Sequence, residues 1–280
     1  MPFSAKTGFF SQQATGGGTP WTPADITTQV WVKAEASELT LSGTDVTAWN
    51  NKGSGGTNFS QATGSQQPTW DSTNGWVLFD GVDDILQANS FQGFSSGTVE
   101  TITTVAVVNV EDYDPQFSGV AGKFFQIGGN PGGSAGTVYS IATGSEDLSV
   151  GWNYRFNTGF TSFNNGVLDA DKITSWQNSA GEQYQNFQFF LDGDEKTKSG
   201  GNNGSTGLSL TNQPYSYLGG GPGGSTSQVM YSNIKLYELV CIKEDSDDTR
   251  QKLEGYLAWE HGLEGNLPVD HPYKNAAPTT

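Results

Sequence analysis

The chain has 280 residues, 13 basic against 29 acidic side chains for a formal charge of −16, 38 glycines, and 12% aromatic residues. So few and so scattered Lys and Arg argue against nucleic acid and against an anionic membrane surface as partners. One cysteine, Cys241, excludes a disulfide framework, and no stretch approaches the ~18 apolar residues of a membrane span.

Residues 1–23 form a Gly/Thr/Gln-rich arm whose substantial apolar groups are Phe3, Phe9, Phe10 and Trp21. Alone it cannot bury a core, so it is either a mobile tail or an assembly arm whose aromatics dock on a neighbouring subunit. Its opening, MPFSAKTGFFSQQ, lacks the apolar run of a secretory signal. Residues 24–280 read as one domain, long enough to bury about 70–75% of its unfolded surface without metal or disulfide.

Many glycine-punctuated segments rich in β-branched and aromatic residues predict strands. These cover 76–79, 99–110, 123–127, 138–142, 148–156, 172–176, 185–191 and 215–218. The run VETITTVAVVNV at 99–110 is apolar enough for burial on both faces. Asn74-Gly75, Asn165-Gly166, Asn203-Gly204 and Asp192-Gly193 supply the positive φ of tight turns. Pro-Gly-Gly recurs after two strands, at residues 131–133 and 222–224, and lacks the helix and lysine of a phosphate-binding loop. The last strand, 232–242, alternates Ile234, Leu236, Val240 and Ile242 with Lys235, Tyr237, Leu239 and Cys241, and Cys241 is expected to be a small buried residue. A helix over about 246–262 follows, capped by Asp245 or Ser246 and closed by Gly262, with Leu253, Tyr256 and Leu257 on its docking face.

Two stretches resemble a known family. Trp31 to Trp70 followed by VLFDGVDDIL, and the closing strand with RQKLEGYLAWEHGL and LPVDHPY, are similar to the concanavalin A-like, laminin-G-like jelly-roll domains of bacterial surface proteins and tailed-phage virion proteins. The two matches bracket residues 26–275. The resemblance implies an all-β jelly-roll sandwich with a short C-terminal helix and an extended N-terminal arm.

Relatives of that fold include glucanases, which set carboxylates alternately along one strand about 5–5.5 Å apart across the scissile bond. Here Glu111, Asp112 and Asp114 lack that alternation and read as a loop, so no catalytic residues are expected. His261 reads as a helix C-terminal cation and His271 as part of a surface turn. Calcium is a possible cofactor, because Asp80, Asp83, Asp84, Asp169, Asp171, Asp192, Asp194 and Glu195 sit in turns, although no ligand set is assignable. Sugar binding needs an aromatic platform edged by amides, and Trp152, Tyr154, Trp176 and Asn178, beside Asn153, Arg155 and Gln177, are the candidates. Trp31, Trp49, Trp70 and Trp76 read as structural.

The resemblance, the missing signal and a chain that starts with its own Met1 point to a non-enzymatic virion structural protein of a tailed phage. It is expected on the particle exterior, made in the host cytoplasm, as a homo-oligomer among other virion proteins. Host cell-surface glycans are a possible partner. The alternatives are a carbohydrate-binding adhesin module of a bacterial surface protein and, more remotely, a glycoside hydrolase.

Overall fold

The computed structural model describes residues 18–97, 100–112, 122–129, 139–143, 148–154, 157–163, 169–180, 186–198, 200–201, 210, 214–222 and 229–280. Among these residues eighteen strands pair antiparallel, and one fifteen-residue helix, α1 (Asp247–His261), closes the chain.

One layer runs through β18 (Asn233–Ile242), β8 (Ile102–Asp112), β13 (Lys172–Asn178), β14 (Gln188–Leu191) and β15 (Asp194–Glu195). The free edge of β18 is shared lengthwise: β6 (Trp76–Asp80) pairs with its first half and β1 (Val30–Lys33) with its second. The other layer begins with β2 (Leu39–Ser42), β3 (Asp45–Trp49), β4 (Phe59–Ser60), β7 (Leu86–Ala88) and β17 (Ser216–Leu218). It continues through β9 (Gly122–Ile127), β10 (Tyr139–Thr143), β11 (Leu148–Tyr154), β12 (Asn157–Phe163) and β16 (Gly200–Gly201). A corner strand, β5 (Thr69–Asp71), pairs with β6 and bridges to β3, so the two layers join at one edge.

The layers pack face to face through aromatic bulk. Phe124 of β9 meets Trp176 of β13 with ring centroids 5.4 Å apart, and the Tyr139 hydroxyl of β10 lies 3.0 Å from Thr104 Oγ1 of β8. The fold is an all-β sandwich.

A second apolar cluster lies outside the sandwich, where α1 covers part of the first layer. Leu253, Tyr256, Leu257 and Ala258 pack on Val105, Val107, Ile173, Val240 and Ile242. This explains the continuous β-branched run of β8: Ala106, Val108 and Val110 face the sandwich interior while Val105 and Val107 face the helix. The Ser246 hydroxyl accepts from the Thr249 N–H, and Gly262 takes the left-handed conformation at φ +69°, so both ends of the helix are capped as its sequence predicts.

The last strand departs from its expected faces. Leu239 and Cys241 join Ile234 and Leu236 in the interior, whereas Val240 and Ile242 face the helix. A bulge between Leu236 and Glu238 causes this, because one extra residue reverses the parity of every side chain beyond it.

Candidate functional site

Two of the four residues proposed for the sugar platform, Trp176 and Asn178, lie in the core. Trp176 is fully buried, set between Phe124 and Phe189 at 5.4 Å each, and Asn178 is buried with both polar atoms of its amide unpartnered. Both are core residues because β13 is covered on one side by the second layer and on the other by α1. Trp152 and Tyr154 stand in β11 opposite Gly159 and Asn157, and their side chains lie outside the described residues.

The arm is corrected in part. Trp21 is buried within its own chain, edge-on to Tyr256 at 6.3 Å, and its N–H donates to the Pro278 carbonyl. It anchors the start of the body and is unavailable to a neighbour. Phe3, Phe9 and Phe10 lie outside the described residues, as do Asn165-Gly166, Asn203-Gly204 and Asp114. Asn74-Gly75 and Asp192-Gly193 form the expected turns, with φ +72° at Gly75 and +84° at Gly193.

Both histidines serve buried glutamates. Glu238, fully buried, accepts from the Trp31 indole N–H at 2.7 Å and the Tyr256 hydroxyl at 3.1 Å, with His261 Nε2 at 3.0 Å. Glu254, also fully buried, accepts from Arg250 at 2.8 and 2.9 Å and from the Ser175 hydroxyl at 2.6 Å, with His271 Nε2 at 3.2 Å. His271 is therefore buried beneath the tail and not in a surface turn. Arg250 also stacks on Phe190 at 3.5 Å and donates from Nε to Gln177. Burial first and then Glu238 push the Tyr256 phenol far above its ordinary range. These groups lock helix and tail to the sheet, because a buried carboxylate is tolerated when its oxygens are fully engaged.

Helix α1 covers the apolar half of the first layer's outer face and leaves the other half open. The burial of β18 changes at that boundary: it alternates over residues 233–238 and is continuous over 239–242. On the open half, Lys235 stands opposite Leu78 of β6 and Asn109 of β8. Its ammonium pairs with Glu111 at 2.5 Å and lies 5.3 Å from the Trp76 ring centroid. Tyr237 donates its hydroxyl to Asp171 at 2.9 Å, and the Asn109 amide donates to the same oxygen at 2.9 Å. Burial, then Asp171, Glu111 and Asp71, push the Tyr237 phenol up, so three carboxylates bear on this surface. Trp76, Leu78, Glu111, Asp171, Lys235 and Tyr237 all remain partly exposed. The face thus offers two aromatic side chains edged by carboxylates, an amide and an ammonium. Glu111 and Asp112, expected in a loop, extend β8 into it.

Sequence reasoning missed this site. It treated Trp76 as structural and sought the platform on β11 and β13. The signal was the alternation of Lys235 and Tyr237 with Ile234 and Leu236 in the first half of the last strand.

At the end of β6, carboxylate oxygens of Asp80, Asp83 and Asp84 lie within 4.8 Å of one another. Asp80 accepts from the Val82 N–H, and buried Asp84 accepts from the Asp80 N–H at 2.9 Å. Burial first, with Asp80, Asp83 and Asp45 adding to it, raises the Asp84 carboxyl to about 7. An all-oxygen set of this kind suits a hard cation such as calcium, whose charge would relieve that repulsion.

No family model matches the chain, and no curated protein does. Solved structures do. The receptor-binding domain of botulinum neurotoxin D aligns over 80% of this chain and 51% of its own, at 7% identity and a TM-score of 0.51. That of type G aligns over 80% and 49%, at 6% and 0.51. A sialidase of Trypanosoma rangeli aligns over 84% of this chain and 34% of its own, at 13% and 0.49. The chain therefore spans about half of the toxin domains and about a third of the sialidase. At such identities the likeness is one of fold alone.

Proposed function

We propose that this chain is a non-catalytic attachment protein of the concanavalin A-like class. In this reading it is a tailed-phage virion exterior subunit that grips host-surface glycans through the open half of its first sheet. The observation that carries the reading is the juxtaposition on that face of Trp76 and Tyr237 with Glu111, Asp171, Asn109 and Lys235. A pyranose presents an apolar face to an aromatic ring and hydroxyl pairs to carboxylates and amides, and these residues supply both. The buried carboxylates Glu238 and Glu254 are committed to holding α1, which fits a passive scaffold.

A single shallow site of this kind binds sugar at about millimolar affinity, roughly −4 kcal/mol, so attachment depends on many copies. Saturation-transfer NMR with bacterial surface saccharides tests the glycan reading. The wild type should show transfer, and Trp76→Ala and Glu111→Gln should each weaken binding at least about tenfold. Absence of transfer from every saccharide, or unchanged binding in both variants, rejects it. Mass spectrometry of purified particles tests the virion setting independently.

A further inference from the structure

The basic side chains of this acidic chain are mostly matched to carboxylates. Among the described residues, Lys33, Lys52, Lys172, Lys196, Lys235, Lys243 and Arg250 each form an ion pair. Lys123 of β9 does not conform. It is 2% exposed, and its ammonium donates to two neutral acceptors, Gln126 Oε1 and the Pro222 carbonyl, each at 2.8 Å. Burial lowers the amine to about 7, and among the described residues no carboxylate offsets that penalty. An isolated buried ammonium is among the most expensive groups a protein can hold, and among the described residues two of the three donors of this one are engaged.

The surroundings form a polar row. Antiparallel register sets Ser60, Gln87, Tyr217, Gln126 and Ser140 directly opposite one another across β4, β7, β17, β9 and β10. Residues paired in this way share a face, and their chain neighbours Phe59, Leu86, Leu218, Phe125, Ile127 and Ile141 fill the sandwich interior. The row therefore lies on the outer face of the second sheet, on the opposite side of the sandwich from the open half-face. It runs from exposed Ser60 and half-exposed Gln87 to buried Tyr217, Gln126 and Ser140. Gln126 donates onward to the Gly128 carbonyl, so its oxygen is oriented toward Lys123. Gly221 sits so close that a Cβ there would fall 2.5 Å from Gln126 Oε1, which places the Gly219–Pro222 turn over the amine.

We propose that Lys123 and this row form a second ligand site, one that takes an oxyanion carried on a small hydroxylated molecule such as an acidic sugar or a sugar phosphate. The oxyanion supplies the missing counter-charge and replaces the Pro222 carbonyl on the ammonium, while Gln87, Gln126 and Tyr217 meet the hydroxyls.

Thermal unfolding at pH 6 tests this, with glucuronate, glucose 6-phosphate, glucose and sodium chloride compared at matched ionic strength. Glucuronate or glucose 6-phosphate should raise the wild-type Tm by about 3 °C at ten times the dissociation constant. Whichever of the two responds identifies the carboxylate or the phosphate as the ligand group. Glucose should not act, and Lys123→Met should abolish the response. A shift of the Lys123 Nζ resonance on adding the active compound, read by heteronuclear NMR, gives the same answer in unaltered protein if the variant fails to fold. Wild-type protein indifferent to both oxyanions beyond the chloride control, an equal response in Lys123→Met, or an unmoved Lys123 resonance overturns the proposal.

Discussion

Replacing Asp84 with Asn isolates the energetic cost of crowding three carboxylates at the end of β6. Asp84 is 7% exposed, and burial together with Asp80, Asp83 and Asp45 raises its carboxyl from 3.8 to about 7. The folded protein therefore holds this proton more tightly than the unfolded chain. The stability it contributes is complete below the unfolded value, near pH 4, and is lost as pH rises through about 7. At about 1.4 kcal/mol per tenfold, the ceiling of that loss is about 4 kcal/mol, and relaxation around a partly hydrated corner should reduce it to about 1–2 kcal/mol. Asn keeps the oxygen that accepts from the Asp80 N–H, and its amide can donate to the neighbouring carboxylates. Thermal melts in EDTA should thus find Asp84→Asn equal to wild type at pH 4 and about 2–5 °C more stable at pH 8. Millimolar calcium should narrow that gap by stabilising the wild type alone, if the corner seats the ion. A difference independent of pH, or a variant less stable at pH 8 without metal, refutes the reasoning.

Lys123→Met should show the opposite pH dependence. The wild-type amine, lowered to about 7, penalises the fold below that pH, and the penalty fades as pH rises toward 10.5, so the variant's advantage in Tm should be largest near pH 6 and gone near pH 11. Glu254→Gln leaves buried Arg250 without its buried anion, with the exposed Asp247 at 3.3 Å remaining, and should cost about 3–5 kcal/mol in urea denaturation; a loss below about 1 kcal/mol would show that the buried ion pair does not hold the helix. Gly219→Ala should prevent soluble folding or cost more than about 3 kcal/mol, because its φ is +75° and a Cβ would stand 1.8 Å from the Phe79 ring; near-normal stability in circular dichroism melts would contradict this packing.

Local chemistry was legible wherever a segment carries its own signal. Helix α1 announces both ends through Ser246 and Gly262, and β8 announces its two-sided burial through a run of β-branched residues. Strands of two to five residues such as β2, β3, β4 and β7 were not foreseen, since their positions come from pairing with distant partners. The same holds for the parity of β18 beyond Tyr237. A bulge adds one residue without a compositional mark, so Val240 and Leu239 exchange faces relative to strict alternation. His271 shows the limit from the other side. Its neighbours Asp270 and Pro272 are exposed and read as a turn, yet its ring reaches Glu254 inside.

The position of α1 decides which residues on the first sheet can meet a ligand. Val105, Val107, Val240 and Ile242 need a cover, and the helix supplies it, held in register by Glu238 beneath it and by its own Glu254, which accepts from Ser175 of β13. Past the bulge the cover ends, and the strand changes to Lys235 and Tyr237, which pair with Glu111 and donate to Asp171 respectively in contact with solvent. The helix lock and the open face are therefore one device: loosening the Glu238 cluster frees Tyr237, whose ring touches His261 at 5.8 Å, and alters the candidate binding surface as well as stability. Coupling of this kind is absent from any single stretch of sequence, because it depends on where residue 238 falls relative to residues 31, 256 and 261 once the layers have closed.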